Sequence, residues 1–299
     1  MLITRASHPT TLWPGVKSFF GLTYEKWEPL YTQIFEEQTS DKAYEIVSEA
    51  TGFGMASVKS EGASIVYDTD GEGPQSRFTN VTYGLGYIVS REEIEDDQYT
   101  YVSQNRAKAL SFSMQATKET VHANILNRAF NGSYVGADGV SLISDSHPTR
   151  GGLQSNKVAD ADLSESSIED AFKAMWSAKN ARGLPVVLRA TKLVIHPSEL
   201  FNATRILKST MRVGTANNDT NAIRAMGIAP EVVANPYLTD LDAWFLLTNA
   251  PNGLISMKRR AIELQKADDF DTENVKAKAT ERYAAGWADP RAIFGSQGV

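Results

Sequence analysis

The feature that most limits the fold is a long stretch whose apolar residues have helical spacing. From Ala107 to Ala129, apolar or small residues recur at steps of three and four, and the preceding segment 90–97 is acidic. Residues at these steps share one helix face, and acidic residues offset the positive end of the helix dipole, so the pattern predicts a helix over about 97–130. Such a helix would be ~50 Å long at 1.5 Å per residue. The predicted stripe consists of Ala107, Leu110, Met114, Thr117, Val121, Ile125 and Ala129.

The segment before this helix alternates like a β-strand. Every second residue from Thr79 to Val89 is apolar, aromatic or β-branched, with mostly small or polar residues between, which predicts a strand over 79–89. A second β-rich run lies at 63–67, and Asp-Gly-Glu-Gly-Pro at 70–74 predicts a turn between the two. We therefore expect a hairpin with arms of about 40 Å at ~3.3 Å per residue. Because an isolated two-stranded ribbon is marginal in water, it must lie on its own domain or on another subunit.

The remaining segments mix helices and strands. An aromatic stretch over about 24–35 has helical spacing, and we expect it to pack on its own core or on a neighbour. A further helix is predicted over 167–181, and a buried strand at 191–195 leads, through a cap at His196, into a helix that ends near Leu207. Strands are also predicted at 228–233, 244–247, 261–266 and 275–283, so the chain is of the α+β class.

Composition excludes several classes of protein. The chain has 299 residues, 42% hydrophobic and 22% charged, which is typical of one large globular domain or two lobes. It has no cysteine, which excludes disulfides, thiolate zinc sites, iron–sulfur clusters and a cysteine nucleophile. No stretch reaches the ~18 uncharged apolar residues of a membrane helix, and the N-terminus lacks the basic flank of a secretory signal, so we expect a cytoplasmic protein during synthesis. The net charge of -6 argues against tight, sequence-independent binding of nucleic acid.

The motifs of the common enzyme classes are absent. The sequence contains no G-x-x-x-x-G-K-[ST] phosphate loop, no G-x-S-x-G nucleophile elbow and no H-E-x-x-H. The pairs Gly52/Gly54 and Gly84/Gly86 lack the third glycine of a dinucleotide site, and the second pair lies in the predicted strand, where close backbone approach explains it. The segment 68–79 begins like a calcium loop but ends on Thr79 instead of a bidentate glutamate.

The histidines also form no recognisable site. His8, His122, His147 and His196 have no metal-ligand spacing, and we expect structural roles for them. Asp145 with His147 is the nearest approach to an acid–base pair, but a turn held by the aspartate explains it as well. We therefore predict a protein that is not an enzyme, with no catalytic, cofactor-binding or metal-binding residues and no cofactor. The alternative is a cytoplasmic hydrolase whose carboxylates are brought together only by folding.

Four sequence segments, taken in this order of elements, resemble a known family. They are the start of the long helix at 89–97, Asp145-Ser-His-Pro148 in the loop after it, Leu-Val-Ile-His-Pro-Ser-Glu-Leu at 193–200, and Ala-Gly-Trp-Ala-Asp-Pro-Arg at 285–291. The arrangement resembles the HK97-type major capsid protein of tailed phages, and within that family most closely the major head subunit of Mu-like phages. The resemblance covers most of the chain from about residue 56 onward and rests on element order more than on any invariant motif.

The resemblance implies an α+β, HK97-like capsid fold with four parts. These are an N-terminal arm (1–52), an extended β-hairpin loop (53–92), a peripheral domain with a long spine helix (93–185 and 258–299) and an axial domain (186–257). The implied function is a major capsid protein that self-assembles into hexamers and pentamers of an icosahedral shell enclosing phage DNA. The implied partners are other copies of the chain, scaffolding, portal and decoration proteins, and packaged DNA by weak contact, with no membrane. The implied location is the virion, after assembly in the host cytoplasm.

Two features depart from the family's pattern. The chain has no long charged helical leader, so we expect any scaffolding function on a separate protein or on a removed segment. The family's covalent cross-link between a loop lysine and a distant asparagine has Lys59 as its only candidate lysine in the hairpin. The residues that we expect at subunit interfaces are Trp27, Tyr31, Lys59, Tyr67, Arg77, Phe78, Tyr83, Tyr87, Arg91 and Glu92.

Physical reasoning agrees with a lattice subunit. A ribbon and an aromatic arm that are too exposed to stand alone suit a protein whose neighbours complete its burial. Two other structural functions stay open at this stage. One is a cellular nanocompartment shell of the same fold, which would have a groove for docking cargo. The other is a tail or neck component, which would form rings or tubes instead of closed shells.

Overall fold

Two sheets and one long helix make up most of the fold. A computed structural model describes residues 2–4, 28–90, 99–212, 219–269, 271 and 273–299. Within these ranges, no helix is both long and apolar enough to cross a membrane. The helices are α1 (Tyr31–Ile34), α2 (Tyr99–Asn127), α3 (Glu165–Trp176), α4 (Leu200–Lys208) and α5 (Ala222–Ala225). The strands are β1 (Leu2–Thr4), β2 (Glu36–Thr39), β3 (Tyr44–Ala50), β4 (Glu72–Thr79), β5 (Val81–Ser90), β6 (His147–Thr149), β7 (Gly152–Gln154), β8 (Ala190–Ile195), β9 (Glu231–Ala234), β10 (Trp244–Thr248), β11 (Leu254–Asp268), β12 (Val275–Trp287) and β13 (Ile293–Ser296).

The larger sheet has five strands in the order β1-β5-β12-β11-β2. Its longest strands, β11 and β12, have 15 and 13 residues and pair antiparallel. Helix α2, with 29 residues, packs on one face of this sheet, where Leu110 and Met114 cluster with Ala279, Ile262 and Leu264. Buried and exposed residues alternate along β12, because neighbouring residues of a strand face opposite sides of the sheet. The face opposite α2 therefore carries the polar side chains.

The smaller sheet has four strands in the order β13-β10-β8-β9. All five residues of β10 are buried, the pattern of a strand covered on both faces. Residues of α3 and α4 cover one face, and Phe172 of α3 packs with Leu193 and Trp244 of the sheet. The strands predicted at 191–195, 228–233 and 244–247 correspond to β8, β9 and β10. The predicted cap is also present, since the His196 side chain accepts a hydrogen bond from the backbone N–H of Ser198.

The long helix is confirmed, but the predicted stripe leaves its buried face halfway along. Thr117 is exposed, and Val121 and Ile125 are only half-buried. The buried positions of this half include Lys118 and His122 instead. The prediction followed apolar residues at steps of three and four, and it missed part of the buried face because polar residues occupy that face between residues 115 and 122.

The buried polar side chains of α2 have partners in other elements. Lys118 Nζ lies 3.3 Å from Glu281 Oε2 on β12, and both side chains are almost fully buried. Glu119 accepts hydrogen bonds from the backbone N–H groups of Leu30 and Tyr31, at 2.9 and 3.0 Å. Burial raises the pKa of Glu119 in spite of these bonds. This polar row therefore fixes both β12 and the start of α1 against the long helix.

The predicted hairpin is wrong in its strand pairing. Residues 63–67 form no strand. The strand β4 pairs with β3, from Tyr44↔Thr79 to Ala50↔Glu72, so most of the turn predicted at 70–74 lies inside β4. The predicted strand at 79–89 exists as β5, but it pairs with β12 in the larger sheet.

Contacts with β12 explain why β5 joins the larger sheet. Tyr83 of β5 stacks on Tyr283 with 4.6 Å between ring centroids, a favourable separation for an aromatic pair. Gly86 allows close approach of the two backbones, because a Cβ at this position would lie 2.7 Å from the carbonyl oxygen of Ala277. Close backbone approach is therefore confirmed at Gly86 of the Gly84/Gly86 pair.

Two helices are shorter than predicted, and two strands are longer. The helix predicted over 24–35 is described only as α1, while residues 24–27 lie outside the described residues. Helix α3 begins after Ser164, whose hydroxyl accepts from the backbone N–H of Ser167, and ends at Trp176 instead of residue 181. The strands predicted at 261–266 and 275–283 are parts of β11 and β12, because pairing continues on both sides of the first range and beyond residue 283 of the second.

We expect His122 to make the protein less stable in mild acid. Its ring nitrogens lie 2.7 Å from the carbonyl oxygen of Lys118 and 2.8 Å from Ser256 Oγ, and burial lowers its pKa from 6.5 to about 4. The unfolded chain therefore takes up this proton first as the pH falls, and stability is lost between about pH 6.5 and pH 4. From pH 7 to pH 4.5, the free energy of unfolding should fall by ~2 kcal/mol more in the wild type than in His122→Asn.

Chemical denaturation at the two pH values measures this difference. His196→Asn is the control, because His196 is a half-buried surface histidine whose ring contacts only the Ser198 region. It should follow the wild type. An equal loss of stability in His122→Asn and wild type would contradict the prediction.

Candidate subunit interface

Strands β3 and β4 form a hairpin whose tip is the extended loop, residues 51–71. The loop closes where the backbone N–H of Thr51 donates to the carbonyl oxygen of Gly71 at 2.9 Å, and it contains no strand or helix. Val58 is 98% exposed and Tyr67 is 91% exposed, so the single chain leaves these side chains uncovered. The large apolar side chains that the extended loop presents to solvent are Phe53, Met55, Val58, Ile65, Val66 and Tyr67.

Arg182 holds the base of the extended loop. Its Nη2 atom donates to both carboxylate oxygens of Asp68 at 3.0 Å, and its Nε atom donates to the carbonyl oxygen of Gly52 at 3.0 Å. Asp68 also accepts from the backbone N–H groups of Gly54 and Thr69, and these bonds, together with the charge of Arg182, lower its pKa. One guanidinium therefore ties both ends of the loop to the body of the protein.

A second arginine holds the arm of the hairpin. Arg291 Nη2 lies 2.5 Å from Glu49 Oε1 on β3 and 2.8 Å from Asp289 Oδ2. Burial alone would lower the pKa of Arg291, but hydrogen bonds and charge from Asp289 and Glu49 raise it. These two carboxylates therefore stabilise the charged form of the partly buried Arg291. The hairpin is fixed to the body by ionic contacts at two points.

A cavity of ≈ 640 Å³ lies between the hairpin and the body, and His147 lines it. The Nδ1 atom of His147 lies 2.5 Å from Asp138 Oδ2, and Nε2 lies 3.0 Å from Asn156 Oδ1. His147 therefore pairs with Asp138 and not with Asp145, which the sequence places closest to it. Both ring nitrogens are engaged and the ring is buried, which is the arrangement of a structural histidine. Within the part of the chain that the structure describes, no group of three His, Cys, Asp or Glu side chains could hold a metal ion.

Five of the expected interface residues are at least partly accessible. Lys59, Tyr67 and Arg77 are exposed, and Arg77 lies over the Tyr44 ring, 4.0 Å from its centroid. Tyr83 and Tyr87 are half-buried on β5, with Tyr83 stacked in the chain's own sheet. Tyr44 and Ile46 of β3 are also exposed, so the accessible surface continues from the extended loop onto the hairpin arm.

The other expected interface residues are covered or not described. Tyr31 and Phe78 are 5% and 4% exposed, and both pack in the core of the same chain. Trp27, Arg91 and Glu92 lie outside the described residues. The sequence analysis did not select five of the exposed side chains in the extended loop, although apolar residues within a Gly- and Ser-rich stretch were the available signal. The unselected residues are Phe53, Met55, Val58, Ile65 and Val66.

We expect Arg182→Ala to loosen the extended loop without unfolding the body. Lys59 is the only lysine of the loop, so cleavage after it by a lysine-specific protease reports on loop opening. Because the loop should open more often once these contacts are lost, cleavage should be about fivefold faster. Arg189→Ala is the matched control, because Arg189 is exposed. This variant should be cleaved after Lys59 at the rate of the wild type. An unchanged rate in Arg182→Ala would contradict the role of this arginine.

Solved structures share this fold at low sequence identity. The structure of Mycobacterium phage Patience has a TM-score of 0.57 and 13% identity, covering 100% of this chain and 91% of that chain. The capsid of a native GTA particle has a TM-score of 0.56 and 12% identity, covering 90% of each chain. A virus-like particle from Pyrococcus furiosus has a TM-score of 0.53 and 12% identity, covering 96% of this chain and 100% of that chain. At these identities the likeness shows the fold.

Sequence comparison identifies the family. No curated protein sequence matches the chain. A family model described as a phage capsid protein matches residues 74–295, which include most of the hairpin arm β4, the long helix, the smaller sheet except its last residue, and three of the five strands of the larger sheet. The match, with capsid structures of the same fold, supports a structural protein of a capsid shell, located in the virion. The chain belongs to the phage capsid protein family.

Proposed function

We propose that this chain is the major capsid protein of a tailed phage, which assembles into hexamers and pentamers of an icosahedral shell around the phage DNA. The observation that carries the proposal is the extended loop. Six of its large apolar side chains face solvent between residues 53 and 67, whereas monomeric soluble proteins rarely expose so much contiguous apolar surface. Membership of the capsid family supports a second copy of the chain as the partner that covers them.

The construction of the hairpin also supports contact with a neighbouring copy. Arg182 and Arg291 fix its base and arm, so the apolar tip is presented in a defined direction. Preorganisation of this kind reduces the entropy lost when the loop docks. An apolar loop on a held base is thus suited to many modest, repeated contacts between identical subunits.

We further propose an HK97-like division of the chain, with the Mu-like head subunits as its nearest type. The parts are the N-terminal arm (1–52), the extended hairpin loop (53–92), the peripheral domain (93–185 and 258–299) and the axial domain (186–257). The packing of α2 on β5, β12 and β11 supports the peripheral unit. Because β13 pairs with β10, and α3 packs on the same sheet, we assign these two elements to the axial unit instead.

The partners proposed for this shell are scaffolding, portal and decoration proteins, with assembly in the host cytoplasm. The family supports a structural role, since capsid proteins are not usually enzymes. It does not favour the hydrolase alternative, and a model of phage capsid proteins does not favour the nanocompartment alternative.

We expect charged substitutions in the extended loop to prevent shell formation. In Val58→Asp/Val66→Asp, desolvation of two carboxylates would oppose burial of the loop against a neighbour. Wild-type protein, expressed with the other head genes, should give closed shells tens of nanometres across in negative-stain micrographs, and the variant should remain as folded small oligomers. Both substituted residues are exposed, so the free energy of unfolding should change by less than ~0.5 kcal/mol.

Val187→Asp serves as the control, because Val187 is 81% exposed on a loop of the body. It should form shells. Normal shells from the double variant would show that the extended loop is not the assembly contact. Wild-type chains that never form shells, even with their neighbours co-expressed, would contradict the capsid function itself.

A further inference from the structure

The face of the larger sheet opposite α2 is basic, although the whole chain has a net charge of -6. Register pairs place Thr82, Arg282 and Arg260 in one row across β5, β12 and β11, and place Gly86, Lys278 and Gln265 in another. Lys276 lies further along β12. These positions alternate with the residues of β12 that are buried against α2, so their side chains face outward.

Neighbouring carboxylates neutralise only part of the positive charge of this basic face. Lys278 makes no ion pair with any residue in the described ranges, and Arg282 donates to the neutral carbonyl oxygen of Asn80. Lys276 lies 2.6 Å from Asp269, and Arg260 lies 3.9 Å from Glu263, which is a loose contact. Within the described residues, four cations on this face therefore meet two carboxylates.

Two glycines leave part of the surface beside these cations without side chains. Gly84 and Gly86 are exposed on β5 next to Thr280 and Lys278, and they carry no side chain that could stand above the sheet. A ligand with a regular, extended backbone could therefore approach the strands closely. The chain's own hairpin covers only the far end of this face, where Phe78 packs on Ala284.

The chemistry of the basic face favours phosphate over protein. Protein interfaces are anchored by buried aromatic and apolar groups and are poor in lysine. The three rows that contain Thr82, Gly84 and Gly86 of β5 have no large apolar residue at their register positions on β5, β12 and β11. Lysine and arginine on an open surface are instead the groups that neutralise a nucleic-acid backbone. The extended loop shows the opposite character, with exposed apolar residues and one lysine.

We propose that this basic face binds the phosphate backbone of double-stranded DNA without reading its sequence. The inference rests on the proposed function, because the DNA enclosed by the proposed shell would be the ligand. Contact with up to four phosphates is weak and strongly dependent on salt, since log K falls with a slope of about −0.9 per neutralised phosphate. A weak contact lets the DNA move while it is packed, and it is consistent with an overall acidic chain.

Fluorescence anisotropy with a labelled duplex of random sequence tests the proposal. The full-length chain, before assembly, is titrated at several concentrations of NaCl from about 20 mM upward. The variant Lys276→Gln/Lys278→Gln should bind at least fivefold more weakly at the lowest salt, with a salt slope smaller by about 2. The control Lys179→Gln/Lys208→Gln removes the same charge from exposed lysines elsewhere and should match the wild type.

Three outcomes would overturn the proposal. One is no binding of the duplex by wild-type chains at low salt. Another is equal salt slopes for the wild type and Lys276→Gln/Lys278→Gln. The third is failure of that variant to form shells while the control forms them, which would make the basic face a contact between copies of the chain. Failure of the capsid function would show separately, as wild-type chains that form no shells, whatever their affinity for DNA.

Discussion

The packing of α2 on β5, β12 and β11 is the contact on which the rest of the structure depends. Small residues such as Ala279 let the helix approach the sheet, and Leu110 and Met114 fill the space between them. In the other half of the helix, the buried pair Lys118–Glu281 replaces apolar packing. A buried ion pair is a weak source of stability, but it penalises any register in which one partner loses the other. We interpret it as the device that fixes where the helix lies along β12.

The same framework divides the surface into parts of different chemistry. One face of the larger sheet is covered by α2, and its other face is left with lysines, arginines and glycines. The hairpin covers the end of that outer face and carries the apolar extended loop beyond it. The two arginine contacts hold the hairpin beside a cavity, and Phe78 of β4 packs in an apolar cluster with Ile255 and Met257, so ionic contacts and apolar burial together position the hairpin. Family membership and fold give these surfaces a common setting, which is the wall of a capsid shell.

Local patterns predicted the elements well and their partners poorly. The long helix, the strands β8 and β10 and the cap at His196 follow from residues close in sequence, so periodicity and capping were sufficient. The pairing of β5 with β12 joins residues about 200 positions apart, and no local pattern encodes it. The β-rich residues 63–67 are closer to β5 in sequence, and the prediction therefore paired them with it. In the structure these residues lie exposed in the extended loop. Buried Lys118 and His122 were missed because burial of polar groups depends on partners such as Glu281 and Ser256 that only folding supplies.

The residues expected at subunit interfaces differ in their exposure in the single chain. Tyr67, Lys59 and Arg77 are exposed as the sequence analysis expected, whereas Tyr31 and Phe78 are buried in the chain's own core. An aromatic residue in a strand or short helix has the same sequence signature in a core and in an interface, and only the fold separates the two. The contacts of Arg182 with Asp68 and of Arg291 with Glu49 had no local signal, because the partners in each pair lie more than 100 positions apart.

The central claim is that a neighbouring copy covers the extended loop in the shell. The chain has no cysteine, so Val58→Cys introduces a single thiol at a side chain that is 98% exposed in the single chain. Its rate of reaction with a small maleimide should be high in unassembled chains, at least tenfold lower in closed shells, and high again after the shells are dissociated. Equal rates in shells and in unassembled chains would show that the loop stays open to solvent, and would contradict the claim.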